Sequence, residues 1–91
     1  MRLTDRNGRL TDTPTRLGVG VSFECPTCGE RHWVPFDNPI DGGACVYHQG
    51  GWHRTGDTLE TLTLTPSIDF ISGPGCEGWH GFITNGELVK A

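Results

Sequence analysis

A chain of 91 residues with a net charge of −4 and only 34% hydrophobic residues makes one domain that buries little apolar surface for its length. The acidic balance argues against a general nucleic-acid binder, because affinity for phosphates rests on clustered Lys and Arg. No apolar run approaches the roughly 20 residues needed to cross a bilayer, and no charged start leads into an apolar stretch, so a cytoplasmic protein without membrane contact or signal peptide is expected.

Taken in chain order, residues 1–18 carry Arg2, Arg6, Arg9 and Arg16 against Asp5 and Asp12, whereas the remainder sets nine acids against Arg31, Arg54 and Lys90. Residues 1–18 show no helical stripe and read as a polar arginine-containing arm ahead of an acidic body at 19–91. The arm is either simply solvated or docks on an acidic surface or a phosphate backbone. Asn7-Gly8 offers a turn for a short hairpin between Leu3 and Leu10. Val19, Val21, Phe23 and Cys25 then alternate with Gly20, Ser22 and Glu24, the period of a half-buried strand. After the cysteine turn, His32, Val34 and Phe36 alternate with Arg31, Trp33 and Pro35, a second strand. Residues 37–58 hold Asn38-Pro39, Asp41-Gly42-Gly43, Gly50-Gly51 and Gly56-Asp57, which predicts loops with short strands around Ala44–His48 and Trp52–Arg54.

Leu62, Leu64, Ile68 and Phe70 lie on one face of the next strand, with Thr61, Thr63, Thr65, Ser67 and Asp69 on the other. Pro66 marks an edge or a break there, because it cannot donate to a ladder. Trp79–Thr84 and Glu87–Lys90 flank Asn85-Gly86, a type I′ hairpin signal. No window carries a helix. The expected fold is mostly β, a small antiparallel zinc-ribbon-like sheet with two ligating turns and a C-terminal Asn-Gly hairpin.

The strongest chemical motif is Cys25-Pro26-Thr27-Cys28-Gly29. Two thiolates with two residues between them can face one tetrahedral ion, and the glycine lets the backbone turn with positive φ. A redox pair of the thioredoxin kind needs a helix after the second cysteine, and a strand follows here. Zinc is therefore the expected cofactor, and a domain this poor in core needs such a staple. The remaining ligands must come from Cys45, Cys76, His32, His48, His53 and His80, and the choice is open at this level. Cys45-Val46-Tyr47-His48 gives a spacing common in small zinc sites, and Cys76-Glu77-Gly78-Trp79-His80 leads directly into the last hairpin. His48 and His53 with Cys45 offer a second metal site, and His32 reads as a surface residue or one packed behind the ligands.

The chain resembles a family of small uncharacterised phage and prophage proteins sometimes mislabelled ammonia monooxygenase. The resemblance covers roughly residues 21–90 and rests on Phe23-Glu24-Cys25-Pro26-Thr27-Cys28-Gly29, Trp52, Leu62-Thr63-Leu64-Thr65-Pro66-Ser67-Ile68, Cys76 and Trp79-His80-Gly81-Phe82-Ile83-Thr84-Asn85-Gly86. It implies a zinc-binding β fold whose ligands are Cys25, Cys28, Cys76 and His80. The late pair has two intervening residues in the family, whereas Glu77, Gly78 and Trp79 intervene here. Four such ligands close the site, so the implied zinc is structural.

Trp33, Trp52 and Trp79 read as covers on a thin core, with Trp33 also placed for contact with a partner. Ser67, in Thr65-Pro66-Ser67, is a nucleophile without an identifiable base. The expected function is a structural-zinc binding module, phage-encoded and acting by protein contact, for example as an inhibitor of a host or defence protein. The alternatives are a zinc ribbon binding nucleic acid through the N-terminal arginines, a metal-dependent hydrolase with Glu77 or Glu30 as base, and a virion structural role.

Overall fold

The computed structural model describes residues 1–47, 50–70 and 78–91. Seven strands follow a single 3-10 turn at Leu3–Arg6: β1 (Arg9–Thr11), β2 (Gly20–Glu24), β3 (Arg31–Pro35), β4 (His53–Thr55), β5 (Thr63–Phe70), β6 (Trp79–Thr84) and β7 (Glu87–Lys90). They form two antiparallel sheets, ordered β1-β2-β3 and β4-β5-β6-β7. The mostly β expectation holds. So do the alternation into Cys25 and the C-terminal hairpin, where Asn85 and Gly86 both take positive φ, 47° and 74°. The expected strand around Ala44–His48 is not formed over 44–47, and His48 lies outside the described residues.

Two seams join the sheets. A parallel bridge pairs Phe36 with Trp52, the Trp52 amide donating to the Pro35 carbonyl at 2.9 Å and the Asp37 amide to the Trp52 carbonyl at 2.9 Å. At the other side Arg2 bridges Glu87, with Leu3 N–H donating to Gly86 O and Leu88 N–H to Met1 O. Residues 1–18 are thus built into the body: Leu3 is fully buried and β1 pairs with β2. An apolar anchor at position 3 and a three-residue ladder outweigh the polar composition of this segment. Its arginines follow suit. The Arg6 guanidinium donates to the Glu24 and Cys25 carbonyls, Arg2 pairs with Glu87 and Arg16 with Asp41.

The core lies between the sheets. Val21, Phe23, Val34 and Phe36 meet Leu62, Leu64, Ile68, Ile83 and Leu88, with Cys25 at one end. Phe23 is fully buried and packs edge-on to Trp79 at 6.2 Å between ring centroids. Phe23→Ala is expected to cost about 3–5 kcal/mol, read as a lower urea midpoint at unchanged slope.

Arg16 and Asp41 pin the glycine-rich loop to the N-terminal segment through two bonds, Nε to Oδ2 at 2.6 Å and Nη2 to Oδ1 at 3.0 Å. The Arg16 guanidinium, helped by the Gly43 amide, holds the Asp41 carboxyl well below its ordinary value of 3.8. A carboxyl depressed in this way stabilises the fold above the ordinary carboxylate range and loses that contribution as pH falls toward the folded value. Asp41→Asn is therefore expected to lower stability at neutral pH, with the gap to wild type closing below about pH 4. Thermal melts from pH 7 to pH 2 check it.

Candidate active site

The cysteine turn is assembled where β2 hands over to β3. Cys25 N–H donates to Glu30 O, Gly29 N–H donates back to Cys25 O, and Gly29 takes φ 79°, a conformation natural to glycine. The Thr27 amide points at the Cys25 sulfur, 3.4 Å away, where it favours negative charge on the thiolate. The Arg6 guanidinium holds the Cys25 carbonyl at 2.7 Å. The third donor comes from β3: the ligating atoms of Cys25, Cys28 and His32 all lie within 4.8 Å of one another.

These three side chains can hold a metal ion. His32 joins them because β3 turns straight back from the cysteine turn, and its Cα partner is Phe23, two residues before Cys25. The signal for this was that His32 shares the face of the buried Val34, two residues on. His80, assigned to the metal by resemblance, is not in this group. Cys45 is also outside it, its thiol donating to Tyr47 O at 3.3 Å. Cys76, Glu77 and His48 lie outside the described residues. His53 faces Asp37 at 3.3 Å, so it is paired with a carboxylate.

His80 is engaged elsewhere. Its Nε2 is 3.0 Å from the Ser67 Oγ. The antiparallel register of β5 and β6 creates this pair. Asp69 lies directly across from His80, and side chains two apart on a strand share a face, so Ser67, Asp69 and His80 all point outward from the sheet. Between Leu64 and Ile68 the register shifts, as expected where Pro66 cannot donate a ladder hydrogen bond. Such irregularities re-aim a neighbouring side chain. The Trp52 indole N–H donates to the Ser67 carbonyl at 3.1 Å and fixes the backbone that carries the hydroxyl.

A serine hydroxyl within hydrogen-bond reach of an imidazole nitrogen is the pairing that makes serine a nucleophile near neutral pH. Ser67 therefore has an imidazole neighbour that its sequence neighbourhood did not reveal. The two residues are 13 positions apart, and only the β5–β6 pairing brings them together.

The cysteine turn and this pair are mechanically linked. Thr27 Oγ1 donates to the Gly78 carbonyl at 2.9 Å, and Trp79 packs on Phe23, so the turn grips the two residues that lead into His80. Trp33, the other expected contact residue, is 42% exposed and lies edge-on to Tyr47. No helix among the described residues is long and apolar enough to cross a membrane.

A family model described as "Bacterial ubiquitination-like system serine protease (BubE)" matches residues 4–91. No curated protein and no solved structure matches the chain. The family match overturns the expected contact module built on structural zinc, and its description includes neither a phage source nor zinc. The expectation gave His80 to the metal and left Ser67 without a base, whereas in the structure the His80 Nε2 lies 3.0 Å from the Ser67 Oγ. Since the match spans nearly the whole chain, this chain belongs to the BubE family of bacterial ubiquitination-like system serine proteases.

Proposed function

We propose that this domain is a protease that cleaves peptide bonds through a Ser67 nucleophile, within a bacterial ubiquitination-like system. The observation that carries the reading is the 3.0 Å contact between Ser67 Oγ and His80 Nε2. In the acylation step Ser67 Oγ attacks the scissile carbonyl while His80 Nε2 takes the hydroxyl proton. The C–N bond then breaks, and the leaving amine departs with the proton held by His80. A water molecule, deprotonated by the same nitrogen, attacks the ester and releases Ser67 and the carboxylate product. Asp69, opposite His80 in the register, is the carboxylate suited to hold the imidazolium that forms in each step.

The partners of such an enzyme are the proteins it cleaves. The Cys25–Cys28–His32 group serves the fold. Two thiolates and an imidazole are a donor set that suits zinc, and Cys76 remains our choice for a fourth ligand. A metal bound there braces the turn that holds Gly78 and Trp79, and the chemistry stays with Ser67 and His80. Two cysteines at metal-ligand spacing also favour the reducing cytoplasm.

The test is a serine-directed fluorophosphonate probe followed by peptide mapping. The reading expects one adduct, on Ser67, that disappears in His80→Ala. No adduct, or an adduct on another serine, overturns it.

A further inference from the structure

Ser67 sits between two uncharged surfaces that the proposed reaction does not yet use. On the β4 side, an open hollow of about 310 Å³ is lined by Tyr47, Gly50, Gly51, Trp52 and Pro66, with no charged side chain among them. Two of its residues adjoin the nucleophile's backbone. Trp52 donates its indole N–H to the Ser67 carbonyl, and Pro66 precedes Ser67 in the chain.

On the β6 side, Ile68 pairs with Gly81, so the next outward position across from Ser67 is Phe82. Phe82 is 42% exposed, and its Cα partner Val89 is 46% exposed. The threonines of the same face, Thr65 and Thr84, are exposed and uncharged, and the charged Asp69 stands with His80 at the other end of it. A single apolar residue on a sheet surface needs no explanation. Here, however, an aromatic-walled hollow and an apolar pair flank one hydroxyl on both sides.

We infer that the substrate is a polypeptide segment with apolar, uncharged side chains on both sides of the cleaved bond, one seated in the Tyr47–Trp52–Pro66 hollow and one on the Phe82–Val89 pair. This rests on the reading of Ser67 and His80 as nucleophile and base. The occupant is the substrate because Pro66 of the hollow is the residue before Ser67, Trp52 of the hollow bonds its carbonyl, and Phe82 follows Gly81, the partner of Ile68, so whatever covers both surfaces passes close to the reacting hydroxyl. The hollow and the pair are specificity elements: they set which chains present a carbonyl to Ser67.

The experiment compares labelling rates of Ser67 by two probes, octyl fluorophosphonate with its long apolar arm and methanesulfonyl fluoride with almost none. It uses wild type, Tyr47→Ala/Phe82→Ala, and Leu17→Ala as an exposed control outside the site. The ratio of the two rates is expected to fall about ten-fold in the double variant, the effect of losing one to two well-buried apolar contacts, and to hold in Leu17→Ala. An unchanged ratio in the double variant overturns the inference and leaves the nucleophile standing. A wild-type dimer that Phe82→Ala converts to monomer, seen by light scattering, overturns it by showing that a second copy covers the face. Absence of labelling by either probe takes down the nucleophile itself, and the inference with it.

Discussion

Ser67→Ala is expected to abolish proteolysis, by a factor on the order of 10⁶ in kcat, while leaving the fold intact. The expectation follows from where the hydroxyl sits. Ser67 is only partly buried, its Oγ meets the His80 ring, and the bond that holds this stretch of β5 comes from the Trp52 indole to the backbone carbonyl. Alanine keeps that carbonyl and loses only the nucleophile. His80→Ala should cost a similar factor for a different reason: the serine remains but nothing takes its proton. Because the two groups act as one unit, the double variant should be no slower than either single one. Melting temperatures within about 2 °C of wild type would confirm that the loss is chemical, since substitutions at such surface positions cost little stability. A Ser67→Ala protein that still cleaves at a tenth of the wild-type rate would end the assignment.

The second large effect lies at the cysteine turn. Cys25→Ser, or removal of metal with a strong chelator, is expected to unfold the domain at room temperature. Structural zinc contributes about 10–16 kcal/mol in comparable small peptides, against total stabilities of about 5–15 kcal/mol for ordinary domains. Cys25 is fully buried at the end of the core, so its loss is felt by β2 and β3 together. The consequence reaches the active site along the same residues. With the turn slack, Thr27 releases Gly78 and Phe23 releases Trp79, and His80 loses the anchored approach that aims it at Ser67. Labelling of Ser67 should therefore vanish along with bound metal and with the cooperative melt. Cys45→Ser, which lies outside the donor group, should keep all three. Metal content by mass spectrometry, a melt and a labelling assay on the same preparations decide it. A Cys25→Ser protein that melts and labels like wild type would remove the metal from the account.

These two results bear on different layers of information in the chain. The strands around the core were legible because alternation is a local property. Val21 and Phe23, Leu62 and Leu64, and Ile83 two residues before Asn85-Gly86 declare their faces within a few positions. The two cysteines of the turn were legible for the same reason, since their spacing alone lets both sulfurs face one ion.

The N-terminal segment was harder. Its composition is polar, and the single apolar anchor that commits it to the body, Leu3, gains its meaning from a cavity formed by residues far along the chain. Its arginines looked like free charge. Carbonyls and carboxylates that arrive from other loops occupy Arg6 and Arg16. His32 was one of several candidate donors in the sequence, and singling it out required knowing that β3 returns directly along β2.

By itself, then, the sequence determined a small β domain, the turn at Cys25–Cys28, the closing hairpin at Asn85-Gly86 and the presence of a serine behind Pro66. Tertiary structure alone decided which side chain that serine meets. A nucleophile and its base must lie within hydrogen-bond reach, and Ser67 and His80, 3.0 Å apart, meet through the register of β5 and β6. Register is set by which faces are buried across a whole sheet and by where a proline interrupts it. Shifting β5 by one residue would turn Ser67 into the core and leave His80 facing an isoleucine.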